Sequence, residues 1–388
     1  MKALLVVPRL PGTGHTGDRL RAELHVEALR AAGFEVVLVG GMPPGAALVT
    51  VPGAAVVVPV ALPVLRVPLG LARALASGGP LQSGFFEGRW REAVEENGRG
   101  ADLVVLVLVR LFSQLKGTLP SCPLVLDYVD ALAEAARQAA GSDPLFLRRL
   151  YWRLEAPRLA REEREAGARA AARIATTPFD ASHLPEGTIA VANGVSIRPL
   201  ASNVGPRGPV VAFSGRLRYR PNRLASRRLL DSIWPRVRRE VPEAVLRLGG
   251  ADAPAEILRH SGRDGVEVVS PVTDMPDFLR AALVVAAPVE MGTGTPNKVF
   301  EAFEAGAAVV ATEAVAARAA AGGEGPPVSV GRSDEEIAAR IVEYLKSPGR
   351  AAADGARGRE WVEAHADRRE AIAALGAVYR RAVTGGAR

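Results

Sequence analysis

The chain has 388 residues, more than one hydrophobic core usually serves, so two domains are expected. Its 48% hydrophobic and 23% charged residues exclude a long disordered tract, and a formal charge of +7 suits an anionic partner: a nucleotide, a nucleic acid or an acidic membrane face. Cys122 is the only cysteine, which excludes an intramolecular disulfide or a cysteine-based metal cluster and points to a buried thiol in a reducing compartment.

Residues 3–7 form an apolar run too short for a signal peptide, ending at Pro8-Arg9, and read as the first strand of a sheet. Further short apolar runs at 36–39, 55–60, 103–109, 124–126, 173–175 and 188–192 alternate with helical stretches such as 19–32 and 145–171. That alternation is the pattern of a doubly wound parallel sheet. The apolar stretch 46–76 is broken by Pro52, Pro59, Pro63 and Pro68, which excludes a spanning helix, and it reads as strands and loops. Residues 64–76, with Arg66 and Arg73, carry the alternative of peripheral contact with a membrane surface. Residues 193–209 contain Asn193-Gly194, Pro199, Gly205-Pro206 and Gly208-Pro209, a linker composition. The second half repeats the alternation, with runs at 210–213, 245–248, 266–268, 284–287, 308–311 and 328–330, before an almost wholly helical tail at 334–382. The expected division is therefore a Rossmann-like domain at 1–192, a linker at 193–209, a second Rossmann-like domain at 210–366 and a terminal helix at 367–388.

Residues 12–17 fit G-x-G-x-x-G directly after the first strand, the context of a dinucleotide fingerprint. That fingerprint also requires an acid at the end of the second strand, where this chain has Leu38-Val39-Gly40-Gly41. The loop is then a close-approach turn, and Gly14, His15, Gly17 and Asp18 become candidates to meet a substrate. Asp127 and Asp130 follow the run at 124–126, at the edge where open sheets bind ligands, with Asp130 slightly favoured and helix capping an equal alternative.

The richest stretch is 283–312, read as strand, glycine-rich loop, helix and strand. Gly292 and Gly294 allow a tight turn, Thr295 can cap the helix, and Pro296 fits its first position. Free amides, the helix dipole and Lys298 together suit a phosphate or diphosphate. Glu301, one turn on, can accept hydrogen bonds from ribose hydroxyls. Only Lys2, Lys116, Lys298 and Lys346 are lysine, every other basic residue being arginine, which makes a lysine on this loop notable. Arg216 leaves the run at 210–213, and Asn222 opens the next helix, so Arg216 can reach a diphosphate. No D-x-D pair, P-loop, G-x-S-x-G elbow or zinc-ligand motif occurs.

The sequence PVEMGTGTPNKVFEAFEAGAAVVAT at 288–312 resembles the donor loop of the retaining GT-B glycosyltransferases, specifically glycosyltransferase family 4. FSGRLRYRPN at 213–222, VANGV at 191–195, VTDMPDFLRAA at 272–282 and GDRLRAELHVEAL at 17–29 extend the resemblance over nearly the whole chain. It implies an α/β GT-B fold with two Rossmann-like domains facing a cleft, a hinge near Asn193, and a last helix that packs on the first domain. It implies that Glu301 holds the donor ribose, that Arg216, Lys298 and the amides around Gly294 and Thr295 hold the diphosphate, and that the Pro271-Val272 backbone meets the base. Asn222, Gly292 and Thr293 complete the donor set; His15, Asp18 and Asp130 are the catalytic candidates, and Gly14 and Gly17 lie on the acceptor side. The family often has a first acid where this chain has Thr293, with Glu290 out of register by three, so the donor sugar stays open.

The activity implied is transfer of a sugar from a nucleotide-diphosphate donor to a glycan, lipid-linked or small-molecule acceptor with retention. The expected setting is bacterial polysaccharide, glycoconjugate or natural-product synthesis, without a metal or other cofactor and without nucleic acid. The expected location is cytoplasmic, with a peripheral site at the inner face of the membrane as the alternative; oligomeric state is open. Two other functions remain: an NAD-dependent oxidoreductase using residues 12–17, and a catalytically silent nucleotide- or glycan-binding homologue.

Overall fold

The computed structural model describes residues 1–11, 17–42, 45, 50–62, 64–86, 88–199, 207–290, 294–320 and 325–385. The chain divides into two compact units, Met1–Thr13 with Asp18–Ala192 and Glu370–Arg388, and Gly14–Gly17 with Asn193–Arg369.

The first unit is built on seven parallel strands in the order β3-β2-β1-β4-β5-β6-β7. They are β1 (Lys2–Val7), β2 (Glu35–Met42), β3 (Val56–Ala61), β4 (Leu103–Val107), β5 (Leu124–Asp127), β6 (Ala172–Ala175) and β7 (Thr188–Ala190). Leu5 on β1 lies opposite Leu38 on β2 and Val105 on β4, and all three side chains are fully buried. A parallel sheet covered on both faces needs apolar side chains on both, which is why its strands read as unbroken apolar runs. Two sequence expectations change. Residues 67–77 are helical, Val67–Ser77, and not loop: Pro68 sits in the first turn, where a missing amide hydrogen costs nothing. Cys122 is only half-buried.

One buried polar network fastens this unit. Arg21 and His25 are neighbours on one face of the helix Gly17–Ala31. Arg21 Nε donates to Asp127 Oδ2 at 2.5 Å and its Nη1 to the Val191 carbonyl at 2.8 Å. His25 Nε2 lies 2.6 Å from the same Asp127 oxygen, and its Nδ1 2.5 Å from the Tyr379 hydroxyl on the terminal helix Arg368–Gly385. Burial alone would raise the Asp127 carboxyl, but Arg21 and His25 outweigh it and hold the group well below the usual carboxylate range. Burial pulls the His25 imidazole down, against the opposing pull of Asp127. The terminal helix therefore belongs to the first unit, as expected for this fold.

The second unit has six parallel strands in the order β10-β9-β8-β11-β12-β13. They are β8 (Val210–Ser214), β9 (Val245–Gly249), β10 (Val266–Val269), β11 (Val284–Ala287), β12 (Ala308–Ala311) and β13 (Ser329–Val330). Strand order reverses between β8 and β11, so the loops leaving these neighbours diverge at the carboxyl edge, where open α/β sheets bind ligands. The helix Asn297–Glu304 forms the crossover from β11 to β12. Its carboxyl end is held by arginines, as its dipole favours: Arg207 donates to the Gly306 and Ala305 carbonyls and Arg359 to the Glu304 carbonyl.

This crossover helix is positioned by glycines of the helix Pro348–His365. A Cβ on Gly355 would stand 2.3 Å from the Gly306 carbonyl oxygen, and one on Gly358 1.9 Å from the Phe303 ring. Backbone cannot yield as a side chain can. Gly355→Ala is expected to lower stability by about 1–3 kcal/mol in urea unfolding, whereas Gly349→Ala, with nothing within 4 Å of its Cβ position, leaves stability unchanged or higher. Equal effects of the two would refute this packing.

Candidate functional site

At the carboxyl edge of the second sheet the loops after β8 and β9 run in backbone contact. Gly215 N donates to the Gly249 carbonyl at 3.0 Å and Leu217 N to the Ala251 carbonyl at 2.8 Å. Gly250, at φ 149°, approaches so closely that a Cβ would lie 1.8 Å from the Gly215 oxygen, which only glycine permits. Arg216 leaves this junction with its Nε 2.7 Å from Asp252 Oδ2, both side chains nearly half exposed.

Asn222, in the first turn of the helix Arg220–Arg228, ties this loop to the crossover helix. Its amide nitrogen donates to the Arg216 carbonyl at 3.1 Å, and its Oδ1 accepts from Lys298 Nζ at 2.8 Å. The Lys298 ammonium also lies 4.1 Å from the centre of the Phe213 ring, within cation–π range. Burial of this ammonium, reinforced by Arg318 and opposed by Glu301, pulls the amine down to about 7. The amino end of the helix dipole disfavours the cation as well. Glu301 is three residues further on, on the same face of the helix, and is half-buried.

The approach to the helix differs from expectation. Asn297 is its first residue and Pro296 its cap, with no side-chain capping bond, so Thr295 is not the cap and Pro296 is not the first helical residue. The reason is a tight turn before the helix, in which Asn297 N donates to the Thr295 carbonyl at 2.9 Å and Val299 N to the Pro296 carbonyl at 2.8 Å. Gly294 is buried with φ 78°, so its glycine is required by conformation. Gly292 and Thr293 lie outside the described residues. Glu290 pairs with Arg228, which also pairs with Asp334 and donates to the Pro288 carbonyl, pinning the strand end that leads into the loop.

Of the remaining residues singled out from sequence, Val272 is half-buried against the second core. Asp130 is half-buried just beyond β5, and its amide donates to the Tyr128 carbonyl at 2.7 Å. Asp127, its rival, is committed to Arg21 and His25. Gly17 is the exposed first residue of its helix; Asp18 follows it, its side chain outside the description. Gly14 and His15, with the rest of the 12–16 turn, lie outside the described residues. Phe213 under Lys298 and the Arg228 clamp went unnoticed in sequence: the first looks like any strand residue, and the second joins residues far apart in the chain. Among the described residues no group of three or more His, Cys, Asp or Glu is arranged to hold a metal ion.

The two doubly wound sheets and the terminal helix define the GT-B class, and solved structures share that fold over the full chain. The sucrose-phosphate synthase of Thermosynechococcus elongatus superposes with a TM-score of 0.73 at 18% identity, covering 99% of this chain and 100% of that one. The Anabaena protein HepE in complex with UDP-glucose gives 0.66 at 14% identity, covering 97% and 99%. The α,α-trehalose 6-phosphate synthase of Burkholderia multivorans gives 0.63 at 14% identity, covering 100% of both chains. Residues 208–347 match the family model described as glycosyl transferases group 1, a span that contains Arg216, Asn222, Lys298 and Glu301. Residues 208–347 of the second unit thus resemble the group 1 glycosyltransferases, and the chain as a whole has the GT-B fold. No sequence among the curated proteins matches the chain.

The Lys298 environment makes stability depend on pH. Between about 7 and the ordinary lysine value of 10.5 the unfolded chain holds a proton that the folded chain does not. Stability conferred by this group therefore rises with pH across that window and is lowest below it, where burial opposes an ammonium in the folded state. Urea unfolding from pH 7 to 9 is expected to show the wild type gaining on Lys298→Met by at most about 1.4 kcal/mol per pH unit. A pH-independent difference would contradict a desolvated amine.

Proposed function

We propose that the protein transfers a sugar from a nucleotide-diphosphate donor to an acceptor hydroxyl with retention at the anomeric carbon. The observation that carries this reading is the convergence of Lys298, Asn222 and Arg216 at the switch point of the second sheet, inside the stretch matched by the family. A flexible loop lysine would be a solvated point charge. Here the ammonium is already aimed, with Asn222 and Phe213 fixing its position, so little ordering remains when a diphosphate arrives.

In this reading Lys298, Arg216 and the amides at Gly294 and Thr295 hold the diphosphate, with Gly292 and Thr293 on the same loop. Arg216 exchanges its exposed partner Asp252 for phosphate oxygens, an exchange made cheap by the modest strength of a half-exposed ion pair. Glu301 accepts from the ribose hydroxyls and the Val272 backbone meets the base. As the glycosidic bond to the diphosphate breaks, negative charge grows on the leaving oxygen, and the two cations stabilise it. The departing diphosphate helps take the acceptor proton on the same face, so no protein nucleophile is needed. Asp130, Asp18 and His15, with Gly14 and Gly17, form the acceptor side of the proposal, no metal is required, and residues near Asn193 act as the hinge. The complex of UDP-glucose with the Anabaena neighbour supports the donor class.

A thermal-shift screen against UDP, GDP, ADP and TDP and their sugars is expected to find one that stabilises the wild type, with affinity at least tenfold weaker in Lys298→Ala and Glu301→Ala. Affinity is expected to fall as pH rises above about 7, where the free lysine loses its proton, and this slope should vanish in Lys298→Ala. NMR of the product identifies the anomer. Stabilisation by none of these ligands, or unchanged response in both variants, would sink the donor-site assignment; an inverted anomer would overturn retention alone.

A further inference from the structure

Away from the candidate site, the first unit turns large apolar side chains outward on the helix Phe146–Arg169. Leu147 is 77% exposed, and Leu145, Phe146, Leu150 and Leu154 are exposed beside it. From Phe146 to Leu154 they recur at helical spacing and make one stripe. Arg153 is exposed on the flank of this stripe and Arg149 is half-buried, while Arg148 is exposed on the other side of the helix. No acid occurs between Asp143, which is buried, and Glu155. Glu155 is itself buried and turned inward, accepting from the Leu81 and Gln82 amides at 2.9 and 2.8 Å.

Those amides open the segment that follows the helix Val67–Ser77 after Gly78, Gly79 and Pro80, so Glu155 joins the stripe to a second surface of the same character. Leu65, 93% exposed, precedes that helix, and Leu69 and Leu75 are exposed along it with Arg66 and Arg73. No acidic residue occurs between Glu35 and Glu87. Two features of the longer helix are unfavourable in water alone: contiguous large apolar side chains face solvent, and cations crowd the positive end of a helix dipole. Both become favourable on one kind of partner. A lipid surface receives the leucines and phenylalanine at the headgroup–acyl boundary while its phosphates meet the arginines. A second copy of the chain meeting the same face would bring arginine against arginine.

We propose that this face of the first unit, Leu145 to Leu154 with the adjoining helix Val67–Ser77, docks peripherally on an anionic lipid surface. No helix among the described residues is long and apolar enough to cross a membrane, so attachment is at the surface. The test is co-sedimentation of the full chain with vesicles of phosphatidylcholine alone or mixed with phosphatidylglycerol. The wild type is expected to pellet with the anionic vesicles and at least tenfold less with the neutral ones. Arg153→Gln weakens binding about fivefold, the double substitution Leu147→Ser/Leu150→Ser abolishes it, and Leu258→Ser, an exposed leucine of the second unit, leaves it unchanged. Melting temperature and nucleotide response report that the variants remain folded. No binding to anionic vesicles, wild-type binding by the Leu147→Ser/Leu150→Ser variant, or a wild-type dimer that this variant dissociates would each overturn the proposal.

Discussion

A single constraint organises the second unit: a lysine ammonium packed into a half-buried site at the amino end of a helix. Its cost is set by burial and by the helix dipole, and it is tolerable because Asn222 Oδ1 and the Phe213 ring lie against it and Glu301 lies one turn on. These groups come from β8, the helix after it and the crossover after β11. They meet because strand order reverses between β8 and β11. The glycine contacts of Gly355 and Gly358 and the arginines at the far end of the crossover helix serve the same geometry, fixing the helix that carries Lys298 and Glu301.

The first unit makes a contrasting use of buried charge. Asp127 stands at the end of a central strand, where a ligand-facing carboxylate would be looked for, yet it is enclosed by Arg21 and His25 and linked through His25 to Tyr379. Its partners satisfy it, so it locks the terminal helix to the sheet. Removing one partner would leave an uncompensated buried charge, the expensive case for such clusters. The lysine, by comparison, is held by a neutral amide and a ring, a setting that retains capacity for an anion.

Much of the fold was legible in sequence because both sheets are parallel and covered on both faces, so strands such as 284–287 and 308–311 stand out as short apolar runs. What failed was local. The helix Val67–Ser77 was hidden by Pro68, which reads as a breaker but sits where a helix accepts proline. The start of the crossover helix was misplaced because the preceding turn consumes the Thr295 and Pro296 carbonyls. Lys298, Asn222 and Arg216 were each picked out from loop context, but that Asn222 bridges the other two depends on contacts far apart in sequence. The Arg21–His25–Asp127–Tyr379 network was invisible for the same reason: helical spacing pairs Arg21 with His25, and nothing local points either of them at Asp127.

If the Lys298 amine becomes the diphosphate-binding cation, ligand binding must draw a proton from solution above about pH 7. Calorimetric titration with the nucleotide sugar that stabilises the chain best, in two buffers of different ionisation enthalpy near pH 8, counts the protons taken up on binding. A nucleotide sugar has no phosphate group titrating in that range, so any uptake belongs to the protein. Uptake approaching one proton per ligand is expected in the wild type and none in Lys298→Met. Equal uptake in both proteins, or none in the wild type, would contradict that role for Lys298.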